Sequence, residues 1–236
     1  GEYWLKADYS QQEPRLLTHF ARLVDQPGSK EVQEAYQQKD LDFHKQTAEM
    51  AGVERSLAKT IGLGVMYGMG YHKLARELDM EPQEAKLMLQ DFHAKVPFMK
   101  GMLEVVMNRA NSKGVIRTLL GRKCRFDLWE PTSWGVHKAL PLNQAQTEYG
   151  MAIKRAHTYK ALNRLIQGSA ADQTKKAMVE VHEQLGIIPL IQVHDELDCS
   201  VKSEKEAKQV KEVMEDCVQL EVPSKVDIEV NETWGG

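Results

Sequence analysis

Asp8, in ADYS, and Asp195, in VHDE, stand 187 positions apart, each at the end of a stretch with strand-like alternation. If the two strands pair, both carboxylates arrive at one edge of a sheet. Adjacent carboxylates repel, and one takes up a proton unless a cation lies between them. Mg²⁺ relieves that repulsion and takes oxygen ligands at roughly 2.0–2.1 Å. Two such ions about 3.5–4 Å apart clamp the attacking and leaving oxygens of an in-line phosphoryl transfer. Taken singly, each aspartate is better explained by a strand end or a turn. His194 and Glu196 flank Asp195, making three ionisable groups at the tip of an expected hairpin.

A second group lies in ERSLAKTIGLGVMYG. Arg55, Lys59 and Leu63 fall at i, i+4 and i+8 and so share one helical face. Gly62 and Tyr67 lie close to that stripe. Two cations leading to an apolar residue and an aromatic ring suit a nucleotide laid along the helix, phosphates toward the cations and base toward the ring. His44 in DFHKQTA can add a donor to a phosphate. Without context, a surface helix with two basic residues accounts for the pattern better. A third group is NRLIQGSAAD, where Asn163 and Gln167 are one helical turn apart and Gly168 permits close backbone approach. Amide side chains can read base edges, although they also cap helices or face water.

The elements that must position these residues are legible in outline. The chain has 236 residues, 42% hydrophobic and 28% charged, enough for one large or two small domains with a proper core. No apolar run is long enough to cross a bilayer, and no basic-then-apolar leader precedes the first strand. Three widely spaced cysteines form neither a disulfide framework nor a zinc pattern and suit a reducing, intracellular setting. Net charge is −3, yet residues 100–176 hold 14 Lys and Arg against 5 Asp and Glu. A basic middle can hold a polyanion on one face, and a solvated helical surface explains it equally well.

Tyr3 to Ser10 reads as a strand, and Pro14 opens a helix. Ser29 and Asp42 can cap the next two helices, and further helices follow to about Lys113. GVIRTLLGRKCRFDL reads as a hairpin turning at Gly121-Arg122. A helical region spans about Asn143 to Gln184, interrupted near Gly168, where Ser169 and Asp172 form a capping box. The hairpin carrying Asp195, an amphipathic helix and a last strand, VDIEVNETW, complete the chain. The fold class expected is α+β: a small, mostly antiparallel sheet backed by helices, with a helical subdomain inserted between its strands.

Together these stretches resemble the family A DNA polymerases over nearly the whole chain and in the family's order. DYSQQEPR resembles the first palm motif, DYSQIELR. RSLAKTIGLGVMYG resembles the fingers-helix motif R-x-x-x-K-x-x-x-(F/Y)-G-x-x-Y-G, NRLIQGSAAD the segment N-x-x-x-Q-G-x-A-A-D, and VHDE the last palm motif. The resemblance implies a DNA-templated DNA polymerase with palm residues 1–24 and 113–236 and fingers residues 25–112. It implies two Mg²⁺ ions on Asp8 and Asp195, with Glu196 beside them. Arg55, Lys59 and His44 would contact the triphosphate, with Lys59 among the catalytic groups. Leu63 and Tyr67 would pack near the sugar and the templating pair, and Glu13 would obstruct a ribose 2′-hydroxyl. Asn163, Gln167 and His194 would contact the primer–template end.

Leu63 stands where the family usually has Phe or Tyr, Gly62 replaces Asn, and Pro14 replaces Leu after Glu13, where proline disfavours a helical preceding residue. The chain opens at Gly1 in strand-like sequence, so a piece of a longer protein is expected, without thumb or exonuclease. Primer–template DNA and dNTPs are the implied partners, with replication proteins or missing domains completing the enzyme, and no membrane. LNQAQTEYGMAIKRAH is longer than the bacterial pattern and suggests a viral member acting in the host cytoplasm. A single-subunit RNA polymerase, a nuclease and a catalytically weak or inactive nucleic-acid-binding remnant are the alternatives. Glu13 and VHDE favour the DNA enzyme over the RNA enzyme, and a nuclease has no need of the Arg55–Lys59–Tyr67 face.

Overall fold

The computed structural model describes residues 2–38, 41–133 and 135–234. In chain order the elements are β1 (Tyr3–Tyr9), α1 (Gln12–Leu23), α2 (Ser29–Gln38), α3 (Phe43–Ala51), α4 (Arg55–Met66), α5 (Tyr71–Glu77), α6 (Pro82–Lys95) and α7 (Pro97–Lys113). Then come β2 (Val115–Arg117), β3 (Lys123–Arg125), β4 (Leu128–Pro131), β5 (Leu140–Pro141), α8 (Leu142–Tyr149) and β6 (Ile153–Arg155). A 3₁₀ turn at Thr158–Lys160 leads into α9 (Ala161–Leu185), followed by β7 (Pro189–Val193), β8 (Glu196–Val201), α10 (Glu204–Asp216) and β9 (Val226–Asn231). The fold is α+β, in agreement with the sequence reading. Two compact units divide it: residues 1–25, 29–43 and 167–236 form one, and residues 26–28 and 44–166 the other.

The first unit is built on a four-stranded sheet in the order β7-β8-β1-β9, antiparallel throughout. Strand side chains alternate between faces, and here the alternation sorts them by polarity. Leu5, Ala7, Tyr9, Leu197, Cys199, Val201 and Val226 point to one face. They form a core with Ala177 and Val181 of α9 and Ala207, Val210 and Met214 of α10. Each large apolar side chain buried this way contributes about 1.5–3 kcal/mol. The Tyr9 hydroxyl crosses the core to donate to the Met214 carbonyl at 2.6 Å. Ser203 caps α10, its hydroxyl accepting from the Glu206 N–H at 3.3 Å.

DYSQQEPR holds this unit together through residues that sequence reading left unassigned. Gln11 takes a left-handed φ of 53° between β1 and α1. Its Oε1 accepts from the Phe43 N–H at 2.8 Å, satisfying one of the orphan donors that open α3. Gln12 Nε2 reaches Gln173 Oε1 and Thr174 Oγ1, each at 3.2 Å, and so ties α1 to α9. Arg15 is buried. It donates to the Ser10 carbonyl at 2.8 Å and the Pro223 carbonyl at 2.7 Å, and lies over the Tyr36 ring at 4.5 Å. The helix begins at Gln12, two residues before Pro14, and Glu13 is helical. Proline costs no hydrogen bond in a first turn, where its missing N–H has no intrahelical partner.

In the second unit α4 buries Ala58, Ile61, Val65 and Met66, and α7 buries Phe98, Met99, Met102 and Val106. Residues 113–166 group with these helices, whereas the sequence reading carried them with the sheet. Hydrogen bonds tie this segment to the end of α7. The Phe126 N–H donates to the Gly114 carbonyl at 2.9 Å. Arg155 donates to the Asn111 carbonyl at 3.2 Å and the Phe126 carbonyl at 2.8 Å, and stacks on Trp129 at 4.6 Å.

Two expectations are corrected. The helix carrying Gly168 is continuous from Ala161 to Leu185, so Ser169 and Asp172 lie mid-helix and form no capping box. The interruption falls earlier, where Gly150 at φ 73° ends α8 and β6 joins a three-stranded sheet, β5-β4-β6. Strands of two to four residues are too short for alternation to announce them. The turn between β2 and β3 also begins before Gly121, since the Thr118 N–H donates to the Arg122 carbonyl at 3.0 Å.

Candidate active site

The antiparallel register brings Asp8 to the hairpin tip. Asp8 is directly opposite Glu196 on β8 and Asp227 on β9. The β7–β8 loop consists of His194 and Asp195 alone, and the Tyr9 N–H donates to the Asp195 carbonyl at 3.4 Å. A two-residue hairpin loop needs positive φ, and His194 supplies it at 55°. The price in backbone strain falls on a non-glycine residue whose ring is exposed.

The Asp8 carboxyl is pushed up from its ordinary 3.8 to about 6. Burial is the largest cause, followed by the charges of Asp195, Glu196 and Asp227, with the Asp195 side chain within hydrogen-bonding reach. Glu196 is also shifted upward, by burial first and then by Asp198. Asp198 is fully buried, and neither of its carboxylate oxygens has a hydrogen-bond partner. The strands therefore present an acidic face that resists full ionisation unless a cation neutralises it. This donor set of hard oxygens fits Mg²⁺, which binds through one or two carboxylates and completes its shell with water and substrate phosphates. Among the described residues no group of three or more His, Cys, Asp and Glu side chains is arranged to hold a metal ion. Asp8 and Asp195, which approach each other at the ends of their strands, could hold such an ion.

The second unit carries the cationic stripe. Arg55 and Lys59 are exposed along α4, Leu63 is half-buried, and Tyr67 follows the last residue of the helix, its N–H donating to the Leu63 carbonyl at 3.0 Å. Arg55, Lys59 and Leu63 follow one another at four-residue spacing along α4, and Tyr67 continues the series at its C-cap. Gly68, at φ 73°, lets the backbone pass the Tyr159 carbonyl, which would lie 2.8 Å from any Cβ. His44 is half-buried in the first turn of α3. In the first unit Glu13 is half-buried in the first turn of α1. Asn163 is half-buried and Gln167 exposed, one turn apart on α9.

Comparison with known proteins identifies the family. The family model for DNA polymerase family A matches residues 1–236. The chain belongs to DNA polymerase family A. It is 36% identical over 277 residues to a DNA-directed DNA polymerase of Pseudomonas phage M6, covering 100% of this chain and 38% of that protein. It is 32% identical over 250 residues to the thermostable DNA polymerase I of Thermus aquaticus, covering 99% of this chain and 27% of that protein. Among solved structures, the POL domain of Pol1 from M. smegmatis, in complex with DNA primer-template and dNTP, matches with a TM-score of 0.79 and 29% identity. That match covers 98% of this chain and 40% of the other. The chain thus spans well under half the length of these family A relatives.

For a family A chain, the sequence reading missed part of the acidic face: Asp198, Asp227 and Glu229, with Lys6 among them. The available signal was the alternation of VDIEVN, which puts Asp227 and Glu229 on the face opposite Val226. Among the described residues no helix is long and apolar enough to cross a membrane.

Proposed function

We propose that this chain is the palm and fingers portion of a DNA-directed DNA polymerase, which adds deoxynucleotides to a primer 3′-hydroxyl under the direction of a template strand. The observation that carries the reading is the convergence of Asp8 and Asp195 on one sheet edge in a chain of this family. Two Mg²⁺ ions, when bound there, stabilise the attacking oxygen and the leaving pyrophosphate. Asp8 and Asp195 hold them, and Glu196 stands beside the pair in a secondary role.

Arg55, Lys59 and His44 hold the triphosphate, with Lys59 countering the charge that develops on the leaving group. Leu63 and Tyr67 pack near the sugar and the templating pair. Glu13 fills the space a ribose 2′-hydroxyl needs, which selects deoxynucleotides. Asn163, Gln167 and His194 contact the primer–template end. Residues 1–24 and 113–236 serve as palm and 25–112 as fingers. Thumb and exonuclease functions, or replication proteins, complete the enzyme, in keeping with the greater length of its relatives. The phage relative supports a viral source, with replication in the host cytoplasm.

Primer extension on a short DNA hairpin tests this. The parent chain is expected to add dNTPs in the presence of Mg²⁺, and Asp195→Ala to add none. A parent that binds the hairpin without extending it, even when joined to the missing portions, overturns the reading in favour of a binding remnant.

A further inference from the structure

The sheet face that carries Asp8 contains one cation in an unusual position. Lys6 lies two residues before Asp8 on β1, so the two side chains leave the same face about 7 Å apart along the strand. Across the sheet Lys6 is directly opposite Asp198 on β8 and Glu229 on β9. The adjacent row is Glu196, Asp8 and Asp227. Five carboxylate-bearing positions in two rows therefore share this face with one lysine. Among the described residues Lys6 is the only cation at the outward-facing positions of β1, β8 and β9. Lys225 lies outside β9 and pairs with Asp227 at 3.5 Å. Like charges directly opposed on a sheet destabilise it, and an interleaved cation offsets that cost.

We propose that Lys6 is the built-in counter-cation of this acidic face, holding it assembled before metal arrives and setting how tightly Asp8 and Asp195 take up a divalent ion. The inference rests on the reading of those two aspartates as metal ligands. Lys6 acts as a positioning residue, set one row back from Asp8 along β1. Its fixed positive charge stabilises the metal-free sheet and repels the incoming ion, so the same residue secures the fold and lowers metal affinity. The negative charges of its cross-strand neighbours Asp198 and Glu229 keep that repulsion partial.

The test is direct binding of Mn²⁺, followed by the electron paramagnetic resonance of the free ion, with a thermal melt of each protein. Parent, Lys6→Met, Lys6→Gln, Lys6→Arg and the double variant Asp8→Asn/Asp195→Asn are compared. Lys6→Met is expected to bind Mn²⁺ about threefold to tenfold more tightly, the range for one charge acting on a divalent ion across about 7 Å in screened, water-like surroundings. It should also melt lower than the parent without metal and recover most of that loss at saturating Mn²⁺. Lys6→Arg, which keeps the charge, should bind within twofold of the parent. Lys6→Gln repeats the charge removal should Lys6→Met fail to fold. Unchanged or weaker Mn²⁺ binding in the neutral variants overturns the proposal, while loss of binding in the double variant leaves the metal-site reading standing. A double variant that binds Mn²⁺ as tightly as the parent overturns both.

Discussion

Asp227 on β9 is the direct cross-strand neighbour of Asp8 on β1, on the side opposite Glu196. Asp8 is therefore hemmed in by carboxylates from both adjacent strands as well as from the hairpin loop. The pair lies on a sheet whose other face packs on the apolar core. Backbone pairing on both sides of β1 holds these carboxylates side by side, so their repulsion is a standing property of the metal-free fold.

That repulsion has a pH signature. Asp8 titrates at about 6 in the folded chain against an ordinary 3.8, so the folded state binds the proton more tightly than the unfolded state. Its contribution to stability is full below pH 3.8 and is lost as pH rises through about 6. Metal-free Asp8→Asn is expected to melt above the parent at pH 7, with the advantage gone below pH 3.8. Saturating Mg²⁺ should reverse the order at pH 7 by stabilising the parent alone. Melting curves at several pH values, with and without Mg²⁺, check both statements.

Arg15 gives a second test, of fold rather than chemistry. Its guanidinium is buried against two carbonyls and the Tyr36 ring. An ammonium cannot reproduce that planar fork. Arg15→Lys is expected to cost about 2–4 kcal/mol, from charged hydrogen bonds worth roughly 1.5–3 kcal/mol each, measured by denaturant unfolding.

The glycines of α4 divide sharply. A Cβ at Gly62 would meet only Met99 Cε at an ordinary 3.6 Å, whereas one at Gly64 would lie 1.8 Å from Met69 Cε and 3.2 Å from its Cβ. Gly62→Ala should stabilise the chain by about 0.5–1 kcal/mol through helix propensity alone. Gly64→Ala should destabilise it by about 1–3 kcal/mol through overpacking. Paired unfolding curves decide this, and equal effects would contradict the packing described for α4.

Leu63 tests the nucleotide face. It is half-buried beside exposed Lys59, so Leu63→Phe should leave the melting temperature nearly unchanged. If the residue packs against the incoming sugar, the added ring should lower KM for dNTP about twofold to fivefold, matching roughly 0.5–1 kcal/mol of aromatic contact. Single-nucleotide incorporation kinetics provide the measurement. Identical kinetics in the two proteins would remove Leu63 from the nucleotide site.

The sequence by itself determined the longer elements and the chemical character of their faces. Alternation in Tyr3–Tyr9 and Glu196–Val201, the i, i+4 spacing of Arg55, Lys59 and Leu63, and the order of the four motifs are properties of neighbouring residues, and local periodicity reports them. Tertiary structure alone decided which faces meet. The register that sets Asp8 against both Glu196 and Asp227, and Lys6 against Asp198 and Glu229, depends on strands up to about two hundred positions apart. Gln12 and Arg15 likewise look like surface residues in DYSQQEPR, yet both are buried by α9, the 223 segment and Tyr36. Gly168 looked like a break because glycine lowers helix propensity, and the long helix packed at Ala177 and Val181 runs through it. Pairing and packing are long-range choices made by the whole core at once, whereas propensity and periodicity act within a few residues.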